Sequence, residues 1–211
     1  MIRTLSATLS AVLQVLVSAA PPFLVYVFTR RTARGFLAYV GLVKPEKRSR
    51  RPAAVLVVAV VPLLLLVSYL PGLREAAIGP GTVTGRLRTM GPSLDTIYIL
   101  LVGAWVQTSL SEELLFRGFI GRRLVVWWGF AWGNVLQAML FGLVHVVLLT
   151  PAGSAALRPA LVLPAFAISA AYGWALGYLK ERAGNGSVLP CWWVHGLANT
   201  ISWTVIALVG G

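Results

Sequence analysis

Acidic residues are scarce in this chain: six Asp and Glu stand against eighteen Lys and Arg in 211 residues, and only 11% of positions are charged. A soluble domain usually carries about a quarter charged residues, so this scarcity excludes the ordinary water-facing surface. The single cysteine, Cys191, excludes an intramolecular disulfide and, inside an apolar run, reads as a small core residue. Neither a Gly-x-Ser-x-Gly elbow nor a His-Glu-x-x-His pair occurs, so the local signatures of serine hydrolases and zincins are missing. Histidine appears only twice, as His145 and His195.

What fills the chain is apolar: 58% of the residues are hydrophobic and the mean hydropathy is +0.81. Runs bounded by charge, proline or glycine predict membrane spans near 5–28, 53–70, 94–122, 131–149, 160–179 and 188–209. The fold class expected is therefore all-α, a polytopic transmembrane bundle of about six spans. It forms one membrane-embedded domain over 1–211, with a functional core over 94–205. The N-terminus imitates a signal peptide, but Pro21 and Pro22 are followed at once by further apolar residues, which predicts an uncleaved first span.

A net charge of +12 would suggest nucleic acid in a soluble protein. Here the basic residues sit in short loops beside apolar runs, so the partner they imply is the lipid bilayer and not nucleic acid. Residues 29–52 hold eight basic side chains against the lone acid Glu46, which places that loop in the cytoplasm of a multi-pass cell-membrane protein. Alternation then puts Arg122, Arg123, Lys180 and Arg182 on the same side and both termini and Arg158 outside. Residues 36–43 are expected as a short interfacial helix. Trp127, Trp128, Trp132, Trp192 and Trp193 are expected in an interfacial belt, Gly129 with Gly133 and Gly173 with Gly177 as packing pairs, and 71–92 as a loop.

Against this background three polar clusters stand inside apolar segments: Ser111-Glu112-Glu113-Leu-Leu-Phe-Arg117, Phe141-Gly-Leu-Val-His145 and His195-Gly-Leu-Ala-Asn199. A charge near the bilayer centre costs at least ~2.5 to 3.5 kcal/mol on insertion scales, so such groups are kept for chemistry or transport. At 1.5 Å per residue Glu112 lies ~16 Å from the cytoplasmic helix end, His145 ~17 to 21 Å and His195 ~12 Å, which allows one shared layer. Glu113 and Arg117 are spaced i, i+4 with the acid first, the favourable order for an ion pair. Glu112 has no opposite charge at i+3 or i+4 and is the free carboxylate. A carboxylate with an imidazole can deprotonate water, and a second imidazole with a carboxamide can donate to an oxyanion. Glu112, His145 and His195 are also chemically reasonable ligands for Zn²⁺.

These motifs resemble the CAAX prenyl protease and bacteriocin-processing (CPBP) family of intramembrane proteases, whose pattern is Glu-Glu-x-x-x-Arg, Phe-x-x-x-His and His-x-x-x-Asn on three helices. All three are intact here, and Gly118 after the arginine is typical. The resemblance implies an endopeptidase acting on a membrane protein or peptide, with Glu112 as general base helped by His145, and His195 and Asn199 at the oxyanion site. Glu113 and Arg117 are the supporting residues it implies. Family members are often described as metalloproteases; glutamate catalysis without a tightly held metal is the expectation here. The chain length is that of bacterial members, which are linked to bacteriocin maturation or immunity, regulated proteolysis and tail sorting. Two other classes compete with the protease: a non-catalytic immunity or scaffold protein that keeps the motifs for packing, and a small ion-coupled transporter, for which no inverted repeat is visible.

Overall fold

The computed structural model describes residues 2–70, 72–79, 81–149 and 159–208. Helix α1 (Ile2–Arg30) runs unbroken through Pro21 and Pro22. The expected interfacial helix is a single turn, α2 (Phe36–Tyr39), after which Val40 is buried against the bundle end. A 3₁₀ turn then leads into α3 (Arg50–Ser68), which continues through Pro62.

The segment read as a loop between the second and third spans contains two short helices, α4 (Leu73–Ala77) and α5 (Val83–Met90). Their signals are local and easily missed. Thr82 caps α5 by accepting from Gly85 N at 3.0 Å, and Leu87 anchors it while Arg86 and Arg88 stay exposed. Ser93 caps α6 (Leu94–Leu101) in the same way, accepting from Thr96 N at 3.1 Å.

From α6 the chain continues as one rod whose turns widen to π-helix over Val102–Leu110 and again over Glu113–Gly121, then returns to α-helix in α7 (Arg122–Leu149). The rod folds back at Gly129, where φ is 72° and ψ is 169°. Only glycine takes that conformation without strain. Beyond the turn, the backbone at Gly133 lies against Leu124 and Val125, and Gly121 lies against Gln137. Gly129 is thus the reversal point and not half of a packing pair. The turn falls between the expected spans 94–122 and 131–149, after Arg122 and Arg123.

Helix α8 (Pro159–Tyr178) ends in a short π turn (Leu179–Ala183), and α9 (Leu189–Leu208) closes the bundle. Gly173 and Gly177 do pack as expected: a Cβ on the first would meet Phe141 and Ala138, and one on the second would collide with Asn134 and Gln137 of α7. Among the described residues four helical stretches are long and apolar enough to cross a membrane: Ile2–Arg30, Lys47–Ser68, Leu94–Val147 and Val162–Ala183. The third supplies two of the six expected passes by folding at Gly129. Helix α9 has the length of a span, but it carries His195, Asn199 and Thr200, and it packs against α3 and the first π segment. Arg158 lies outside the described residues.

The main core joins all the site-bearing elements: Val60 and Val61 of α3, Phe116, Phe141, Tyr172, Leu176, and Cys191, Val194 and Ala198 of α9. Cys191 is fully buried and its thiol donates to Leu176 O, the small core residue expected. Trp127, Trp128, Trp132 and Trp193 face outward, whereas Trp192 turns inward and donates to Trp105 O at 2.7 Å.

Candidate active site

Glu112 and Glu113 stand at the join between the two π segments. The preceding Gln107-Thr-Ser-Leu-Ser111 run explains the local unwinding: Ser109 Oγ bonds Ala104 O at 2.6 Å, and Ser111 Oγ bonds the carbonyls of Gln107 and Thr108. Side-chain hydroxyls that take over carbonyls of the previous turn bend a helix, and π turns recur at functional sites.

Glu113 is entirely enclosed and its Oε1 is shared. Arg117 Nη1 approaches it at 3.1 Å, the i, i+4 pair expected, with neither side chain exposed. His195 Nδ1 reaches the same oxygen from α9 at 2.8 Å, a contact that sequence spacing gave no hint of. The guanidinium of Arg117 also lies 4.0 Å over the Phe141 ring, which compensates part of its desolvation.

Phe141 is the hub of the second motif. Its ring sits 4.2 Å from the His145 ring and edge-on to Phe116 at 5.1 Å, and its carbonyl lies 2.9 Å from His145 Nδ1. A carbonyl can only accept, so that nitrogen carries the proton and Nε2 of a neutral His145 is left as an acceptor facing the cavity. The spacing Phe-x-x-x-His thus has a physical basis: one turn of helix brings the ring, the carbonyl and the imidazole together.

Glu112 is the least committed group. Its Oε2 has no hydrogen-bond partner among the described residues, yet lies 3.8 Å from both His145 Nε2 and His195 Nε2. That separation is too long for a direct hydrogen bond and suits a small group held between the three. The Glu112 and His145 side chains keep 18% and 29% exposure, against 4% for His195, so the cluster opens on the Glu112 and His145 side. The three motifs do meet in one layer.

Asn199 lies one turn from His195 on α9 and bonds Ser109 Oγ at a long 3.4 Å, touching neither glutamate. Three neighbours escaped sequence reasoning. Ser109 anchors Asn199. Tyr172 meets the His195 ring edge-on at 5.5 Å with a buried hydroxyl that has no partner among the described residues. Trp105 bonds Thr200 Oγ1 at 3.1 Å and lies so close to Gly196 that any Cβ there would strike its indole. Each acts through contacts between helices distant in sequence, and none carries a charge or a spacing signal.

Among the described residues no group of three His, Cys, Asp or Glu is placed to hold a metal ion. The 3.8 Å separations from Glu112 to each histidine exceed the about 3.4 Å between neighbouring donors around tetrahedral zinc at ~2.1 Å.

A helical membrane bundle with two adjacent carboxylates, an arginine and two imidazoles gathered inside it defines a class of intramembrane protein with an acid–base site. The family model described as Type II CAAX prenyl endopeptidase Rce1-like matches residues 94–201, just over half of the chain and all three motifs. The chain belongs to this family of CAAX-type proteases. No curated protein and no solved structure matches it.

Proposed function

We propose that the chain is a multi-pass endopeptidase of the cell membrane that hydrolyses a peptide bond of a membrane-associated protein or peptide with a water activated by Glu112. The observation that carries this reading is the approach of one unpartnered oxygen, Glu112 Oε2, to within 3.8 Å of both His145 Nε2 and His195 Nε2.

A water between these groups gives its proton to Glu112, with His145 Nε2 accepting its second hydrogen bond. The hydroxide oxygen attacks the scissile carbonyl carbon, and the carbonyl π electrons move to oxygen. The oxyanion role asks His195 to donate from both ring nitrogens, Nδ1 to Glu113 and Nε2 to the oxyanion, with Asn199 as the second donor. Glu112 then returns its proton to the departing amine as the C–N bond breaks. Glu113 and Arg117 hold His195 in place and do not touch substrate. The reaction runs on protein groups alone.

The test is cleavage in proteoliposomes of a panel of membrane-anchored peptides that includes a prenylated CAAX peptide, read by mass spectrometry. The wild-type protein releases a defined fragment, and Glu112→Gln, inserted and purified equally well, releases none. Turnover retained by Glu112→Gln overturns the reading.

A further inference from the structure

A cavity of about 420 Å³ lies away from the acid–base site, between the start of α1, helix α5 and the first π segment. Its volume falls in the roughly 300 to 1,000 Å³ range of small-molecule sites. Arg3 and Arg86 line it together with Ser6, Ser10, Thr89 and Gln107, and no acidic residue is among its lining. Both arginines are exposed, and neither makes an ion pair among the described residues. Two like charges facing one cavity repel unless an anion stands between them.

The polar wall points the same way. Ser6 and Ser10 stand on the exposed start of α1 with Arg3, and Gln107 is half-buried in the first π segment. None of the three side chains has a hydrogen bond within the protein among the described residues, and all three face this cavity. Arginines, hydroxyls and an amide form the donor set that takes phosphate oxygens. The occupant is further defined by what lies alongside: Leu5, Leu9 and Leu13 of α1, 60%, 61% and 63% exposed and spaced i, i+4, i+8, form an apolar stripe next to the face of α1 that carries Ser6 and Ser10. A free anion has no use for that stripe, whereas an acyl chain does.

We propose that this cavity binds the headgroup of an anionic phospholipid, with the phosphate between Arg3 and Arg86 and an acyl chain along the exposed leucines of α1. Arginine guanidinium groups pair with phosphate oxygens through charge-assisted, bidentate hydrogen bonds, whichever leaflet supplies the lipid. The site is independent of the proteolytic reading and stands whether or not the chain cleaves peptides.

Native mass spectrometry of the detergent-purified full chain tests it, titrating phosphatidylglycerol and phosphatidylcholine of identical acyl chains. Phosphatidylglycerol binds in preference, and Arg3→Gln with Arg86→Gln weakens it by roughly 25-fold, about fivefold for each arginine, while leaving phosphatidylcholine unchanged. Arg50→Gln with Arg51→Gln, which removes two basic residues far from the cavity, leaves the preference intact. Equal binding of the two lipids, or a preference that survives loss of Arg3 and Arg86, overturns the proposal. So does equal loss in the Arg50 and Arg51 variant, which marks a diffuse attraction to basic loops. Inorganic phosphate that displaces the lipid at matched concentration assigns the cavity to a free anion and also overturns it. Both arginines are exposed, so the double variant melts at the wild-type temperature.

Discussion

His195 Nδ1 lies 2.8 Å from Glu113 Oε1, so the carboxylate that sequence spacing assigns to Arg117 alone also fixes the orientation of an imidazole 82 residues further along the chain. The other end of that ring faces Glu112 at 3.8 Å. The two neighbouring glutamates therefore hold different positions about one histidine, and their substitutions should separate cleanly.

Glu113→Gln removes the charge that compensates a fully buried Arg117, and breaking a buried pair in this way costs about 3 to 5 kcal/mol. Glu112→Gln leaves a partly exposed amide with no pair broken, and its stability stays near wild type. Thermal unfolding of the purified proteins checks the contrast: a large fall in Tm for Glu113→Gln and little for Glu112→Gln. Equal Tm values for both would show that Glu113 does not hold the cluster together.

Phe141→Ala removes a ring that is 1% exposed and touches Arg117, His145 and Phe116 at once. The expected loss is about 3 to 5 kcal/mol, as for other buried aromatic truncations. Phe141→Leu fills most of the volume without the ring and costs less, while the backbone carbonyl that receives His145 Nδ1 is present in both variants. Denaturation curves for the pair give the comparison, and equal losses would show that the filled volume contributes little and that the ring contacts carry the effect.

At Gly177 a Cβ collides with Asn134 and Gln137, so Gly177→Ala forces α7 and α8 apart at about 1 to 3 kcal/mol. Adding Asn134→Ala removes the nearest obstacle and recovers part of that loss. A double variant no more stable than Gly177→Ala would place the conflict elsewhere. The double-variant cycle is read from melting temperatures in one detergent.

Cleavage is expected to persist after exhaustive treatment with a zinc chelator, because the proposed chemistry needs only Glu112, His145, His195 and Asn199. Elemental analysis of the same preparation accompanies the assay. One equivalent of zinc that disappears in His145→Ala, together with loss of turnover on chelation, would replace the metal-free reading with a zinc site on Glu112, His145 and His195.

The sequence alone determined that this is a helical membrane bundle, because hydropathy and helix length are local properties of each segment. It also determined the three motifs and the Glu113 to Arg117 pair, since i, i+4 geometry belongs to a single helix. It placed a break between 122 and 131 but read Gly129 as half of a packing pair and not as the reversal point. The positive φ there shows only when the helix after it lies back on Leu124 and Val125. Nor could it place Ser109 beneath Asn199, Tyr172 beside His195, or the Phe141 ring between Arg117 and His145. Those contacts join helices tens of residues apart, and their partners are fixed by how the bundle packs. Depth counting allowed Glu112, His145 and His195 to share a layer. Only the tertiary fold decided that both imidazoles turn Nε2 toward one oxygen of Glu112, because Phe141 O and Glu113 claim the other nitrogen of each ring.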